Sequence, residues 1–199
     1  MLHPRTDLKG FTIPELVVVI VLIGIVGTAF FTFTNTSINQ YLSLQQEGYV
    51  FNDLATQSQR VAKVLRGLTD ITAATQNEIS VYAYFSPQDT YVSLIRYYKN
   101  LSGTILYADV TPMTQNPPNG TLKTAELKTY TIMDNFYSAP GVNLFEYLDS
   151  AGAVIPQPIA DLHTIKGIRV NLAVPTKTPS ISNDAMTLSV SLRNRKTNL

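Results

Sequence analysis

The chain of 199 residues contains no cysteine, no tryptophan and only two histidines. Without thiols there can be no disulfide frame, no cysteine nucleophile and no zinc–thiolate centre. The histidines are His3 and His163. His3 lies in the segment expected to be removed, and the one histidine left cannot build a His-rich metal centre; His163 is expected in a surface turn or a satisfied packing position rather than in catalysis. Charge is also scarce, with 15 basic against 14 acidic residues, so net charge offers no footprint for bulk nucleic-acid binding. No glycine-rich phosphate loop is present, since Gly24 and Gly27 lie inside an apolar run. Asp149 with neighbouring carbonyls is the nearest approach to a calcium site, and no recurrent acidic spacing supports one. The expectation is a protein with no metal, no cofactor and no enzymatic role.

A further scarcity is local. From Phe11 to Phe33 there are 23 residues with one charge, Glu15, and no other charge appears until Glu47. As a helix this run spans roughly 35 Å, enough for a bilayer core of about 30 Å. Arg5 and Lys9, offset only by Asp7, precede it. The positive-inside rule places residues 1–10 in the cytoplasm and the remainder outside. Pro14 falls in the first helical turn, where a missing N–H costs nothing. A carboxylate in hydrocarbon costs about 2.5–3.5 kcal/mol and is usually retained for a purpose. Three readings of this start compete. One is a secretory signal cut after Ala29; another is a plain signal anchor; the third keeps the apolar run and removes what precedes it.

The third reading has a family attached. Gly10-Phe11-Thr12-Ile13-Pro14-Glu15-Leu16 resembles the processing motif of type IV pilins and pseudopilins, with Pro14 where leucine is commoner. The resemblance implies that prepilin peptidase cuts after Gly10 and methylates the new amino terminus at Phe11. It further implies that Glu15 neutralises a free amine of its own or a neighbouring subunit when stems pack into a fibre, since pairing removes most of the penalty of a buried charge.

Beyond the apolar run the helical pattern continues. Val50, Leu54, Ser58, Val61, Leu65 and Leu68 recur every three or four residues and share a face. Arg60, Lys63 and Arg66 fall opposite, as a solvated face or as a contact for acidic groups of neighbouring subunits or DNA. One helix is expected from about Thr12 to about Asp70, bending at Gly24, Gly27 or Gly48. The chemistry then changes. Glu78–Phe85 and Thr90–Tyr98 read as a hairpin, and Thr104–Val110 as a third strand. The proline-bearing Thr111–Thr121 reads as a loop, and Lys123–Met133 as either strand or short helix. Asn143–Leu148 and Ala153–Ile155 flank a turn at Asp149–Gly152. Ile168–Val174 and Leu188–Leu192 alternate apolar with wettable residues, as antiparallel strands covering a helix do. Tyr82, Tyr84, Phe85, Tyr91, Tyr97, Tyr98 and Tyr107 crowd the first sheet, in cross-strand packing or on a binding surface.

The class is therefore α+β: a long N-terminal helix, membrane-spanning in its first half, packed against a C-terminal antiparallel β-sheet head. The expected parts are a leader at 1–10, a helix at 11–72 that crosses the membrane at about 11–33, and a head at 73–199 with sheets at about 78–110 and 143–193. Phe145–Gly152, Ile168–Val174 and Leu192-Arg193-Asn194 loosely resemble the larger minor pilins of the PilW type and pseudopilin J. That likeness implies a priming or tip complex of a pilus or pseudopilus. The implied partners are prepilin peptidase, other pilins through the helix, and the cytoplasmic membrane, with the head outside and later on an extracellular fibre. Arg193, Arg195 and Lys196 form a basic tail, a candidate contact for DNA or another partner, though net charge does not support DNA. The reading from another class is an adhesin-like head on a signal anchor.

Overall fold

No proline occurs between Pro14 and Pro87, and most of that stretch is one continuous helix, α1 (Ile13–Arg66). The structure, a computed structural model, describes residues 10, 12–134, 141–174 and 184–192. It divides into two compact units, Met1–Gly48 and Tyr49–Leu199. In the first, no described residue forms a layer against α1: its apolar side chains from Ile13 to Leu44 are exposed.

In the second unit the same helix is core. Leu54, Ser58, Val61 and Leu65 are buried, as their spacing requires, and Arg60, Lys63 and Arg66 stay exposed. The helix stops at Arg66, earlier than the expected Asp70. The Gly67 N–H donates to the carbonyls of Lys63 and Val64, tightening the last turn. Thr69 then donates its N–H (2.8 Å) and hydroxyl (3.0 Å) to the Tyr82 carbonyl. That pairing draws the chain into β1 (Asp70–Ala74), a strand not anticipated.

Five strands form the first sheet in chain order: β1, β2 (Glu78–Ala83), β3 (Ser93–Lys99), β4 (Leu106–Pro112) and β5 (Lys128–Met133). All neighbours are antiparallel. The sheet thus runs from 70 to 133, wider at both ends than the expected 78–110. The ambiguous Lys123–Met133 segment holds both forms, a 3-10 turn at Thr124–Glu126 and then β5. The expected loop after Val110 begins later, because β4 continues through Pro112. The second sheet is β6 (Phe145–Leu148), β7 (Gly167–Val174) and β8 (Asp184–Ser191), again antiparallel in chain order. Between β6 and β7, Gly152 adopts φ +80 and closes the Asp149 turn, a conformation that favours glycine. Asp149 Oδ1 accepts the N–H groups of Ala151 and Ala153.

One core joins α1 to both sheets. Leu54, Val61 and Leu65 cluster with Ile79, Val81, Ile95 and Ala108 of the first sheet and with Ile168, Val170 and Leu172 of the second. Tyr147 ties the sheets together: its hydroxyl donates to the Thr75 carbonyl (2.8 Å) and lies 3.1 Å from that of Glu78. Cross-strand tyrosines pack as anticipated, with Tyr98 and Tyr107 rings 5.6 Å apart.

Burial holds the phenols of Tyr97 and Tyr147 well above the ordinary tyrosine range. For a phenol raised on folding, the unfolded chain ionises first. The native state then holds more protons, and stability falls as pH rises above about 10. Each phenol should remove about 1.4 kcal/mol per pH unit above that point. Chemical denaturation of the detergent-solubilised protein at several alkaline pH values measures the slope. Tyr147→Phe should lower the slope by one phenol's share; an unchanged slope would show that Tyr147 does not report burial in this way.

Candidate functional site

The first turn of α1 carries the only carboxylate in the apolar run. Thr12 is the N-cap: its carbonyl accepts the Leu16 N–H at 3.1 Å, the first bond of the helical ladder. Glu15 folds back over the end. Its Oε2 accepts both the Thr12 N–H and the Thr12 hydroxyl, each at 3.0 Å. Thr12-Ile13-Pro14-Glu15 therefore has the capping-box pattern and makes the half of it in which the N3 carboxylate satisfies the N-cap N–H. The sequence pattern T-x-x-E before an apolar run is the local signal for it. The acid thus has a structural job within its own helix. Its second oxygen, Oε1, has no hydrogen-bond partner among the described residues, and the residue is exposed. Gly10 is exposed, whereas Phe11 lies outside the described residues.

From Ile13 onward the helix presents apolar side chains on every face. The most apolar stretch has a mean hydropathy of 2.8 and none of it is buried. Large residues there are typically half exposed or more, Phe30, Phe31 and Phe33 about 70%. So much contiguous apolar surface far exceeds what a soluble monomer normally leaves in water. Polar side chains within the run satisfy themselves along the helix. Thr28 donates to the Gly24 carbonyl (2.8 Å), Thr32 to Thr28 (2.9 Å) and Thr34 to Phe30 (2.8 Å). That arrangement is what an environment without water requires of a hydroxyl. By length and composition α1 can cross a membrane. Past Phe33, Ile38, Tyr41 and Leu42 sit at i, i+3 and i+4, an exposed apolar face.

The other candidate residues separate. Arg193, Arg195 and Lys196 lie outside the described residues. His163 is exposed in a 3-10 turn whose N-cap, Asp161, accepts the His163 N–H at 2.8 Å. Among the described residues no cluster of three or more His, Asp or Glu could hold a metal ion.

In the head a cleft of about 860 Å³ was not foreseen. It brings Arg60, Phe85 and Tyr130 together from α1, the loop after β2, and β5. No local pattern announces a site whose parts lie dozens of residues apart. No protein-family model matches this chain, and no curated protein is similar enough to it to count as a match.

Proposed function

We propose that this chain is a minor type IV pilin or pseudopilin. It is held in the cytoplasmic membrane by α1, cut after Gly10 by prepilin peptidase, N-methylated at Phe11, and assembled with other pilins into a priming or tip complex. The observation that carries the reading is the arrangement around Glu15. A single acid, five residues past Gly10, opens a helix that is wholly apolar and uncovered at its start and core of an antiparallel head at its end.

The physical work is architectural. The exposed apolar stem is stable in lipid, and it stays stable outside lipid only if sister stems cover it, each large side chain contributing about 1.5–3 kcal/mol. Glu15 keeps one oxygen on Thr12 and offers the other to a neighbouring subunit's amine. The apolar face at Ile38, Tyr41 and Leu42 continues the same contact above the membrane.

Intact-mass measurement of the chain purified from cells with and without prepilin peptidase tests the reading. With the peptidase, the chain should lose residues 1–10 and gain one methyl group at Phe11. Retention of Met1 in its presence would favour the adhesin-like head on a signal anchor. An amino terminus at Phe30 would instead mark a secreted protein that had lost its stem.

A further inference from the structure

Among the described residues, β5 is the edge of the five-stranded sheet, pairing with β4 alone. Its first four residues, Lys128–Thr131, are exposed on both faces. A row of backbone N–H and C=O groups is therefore open on the side away from β4. Such an edge is a ready template for another strand, and proteins usually cover it or guard it. Here it borders the large cleft instead.

The cleft is built rather than loose. Arg60 lies over the Phe85 ring, 4.9 Å from its centroid, and the Phe85 and Tyr130 rings are 4.8 Å apart. This stack links α1 through the β2–β3 loop to the edge strand and forms an apolar floor. Asn116 pins the rim: its Oδ1 accepts the Val92 N–H at 2.9 Å and its Nδ2 donates to the Tyr84 hydroxyl at 3.4 Å.

Four charged side chains line the cleft, and they are not equivalent. Asp89 Oδ2 already accepts the Ser86 N–H at 2.8 Å. Glu126 already pairs with Lys123 at 3.2 Å. The two cations, Arg60 and Lys128, have no carboxylate partner among the described residues. A hydrogen bond from a neutral N–H leaves the Asp89 charge in place, so two cations stand against one uncancelled carboxylate; what the cleft offers a ligand is a net positive charge, an aromatic floor and unpaired strand backbone. A second copy of this chain fits poorly, because its β5 has no carboxylate to meet Lys128 or Arg60.

We propose that the β5 edge and its cleft dock an extended acidic segment of another protein. The segment adds a strand beside β5, its carboxylates meet Lys128 and Arg60, and an apolar side chain rests on the Phe85–Tyr130 stack. This is recognition by strand addition, in which backbone bonds supply affinity and the flanking side chains supply specificity. It does not depend on the pilin reading.

The test uses the full chain in nanodiscs of uncharged lipid. The probes are three capped peptides that alternate valine with glutamate, glutamine or lysine, followed by fluorescence anisotropy. The glutamate peptide should bind about tenfold more tightly than the glutamine peptide, with the lysine peptide weakest. That preference should shrink as salt is raised. Lys128→Glu should invert the ranking of glutamate and lysine peptides, and Arg60→Gln should narrow it. Both positions are exposed, so neither change threatens the fold. Hydrogen exchange should slow at the amides of Lys128–Thr131 when the glutamate peptide is bound. Equal binding of the three peptides, a ranking that survives both substitutions, or protection only outside β5 would overturn the proposal. So would concentration-dependent self-association through β5 that the glutamate peptide fails to compete away.

Discussion

Glu15→Gln should insert into the membrane as well as the parent chain yet enter fibres at least about a hundredfold less well. The substitution separates the two roles open to this residue. A capping box accepts Gln as readily as Glu at the third helical position. The Thr12 N–H that Glu15 now satisfies at 3.0 Å therefore keeps its partner in the variant. Only the charge is lost. Insertion becomes no harder, since a neutral amide is less costly in hydrocarbon than a carboxylate. On the proposed pilin reading, assembly suffers because the liberated amine of Phe11 or of a neighbour would be buried without a counter-charge. Stripping one partner from a buried pair costs about 3–5 kcal/mol, and about 1.4 kcal/mol is tenfold in an equilibrium. Membrane fractionation and quantification of the chain in sheared fibres give the two readouts. Normal incorporation of the variant would leave Glu15 as a helix cap and remove its proposed part in assembly.

Leu65→Ala should destabilise the head by about 2–5 kcal/mol, while Leu44→Ala should change its stability by no more than about 0.5 kcal/mol. Both leucines belong to α1, and both sit in helical patterns of apolar residues. Leu65 is 0% exposed and packs among strands of both sheets, whereas Leu44 is 67% exposed. Truncating the first leaves a cavity that the surrounding core can only partly close. Truncating the second removes surface already in contact with solvent or with whatever covers the stem. For a protein of this size each kcal/mol shifts the melting temperature by about 2–4 °C. Leu65→Ala should therefore melt roughly 5–15 °C lower by near-ultraviolet circular dichroism in detergent, and Leu44→Ala should melt with the parent. Equal shifts would mean that the core does not rest on this segment of the helix.

Much of the architecture is written in short-range pattern. The 3.6-residue recurrence of Leu54, Ser58, Val61 and Leu65 named the buried face of α1, and the structure buries all four. Two-residue alternation marks β7 and β8, and the turn residues after Phe85 separate β2 from β3, whereas the turn after Leu148 leads to an isolated bridge at Val154 and no strand. β1 was missed because its sequence, Asp-Ile-Thr-Ala-Ala, has only Ile71 fully buried and little alternation to detect. It is a strand because Thr69 and its successors pair with β2. β5 was ambiguous for the opposite reason. An edge strand exposed on both faces at Lys128–Thr131 has no apolar face to write into the sequence.

The sequence by itself determined the apolar stem, its solitary acid, the helical stripe beneath the head and the α+β class. All of these follow from the periodicity and hydropathy of residues close along the chain. Only the tertiary structure decided where the helix yields to β1, which strand is left as an open edge, and that Arg60, Phe85 and Tyr130 meet around one cleft. Those outcomes depend on strand register and on packing between segments far apart in sequence, and local propensity carries no record of which distant partner a residue will find.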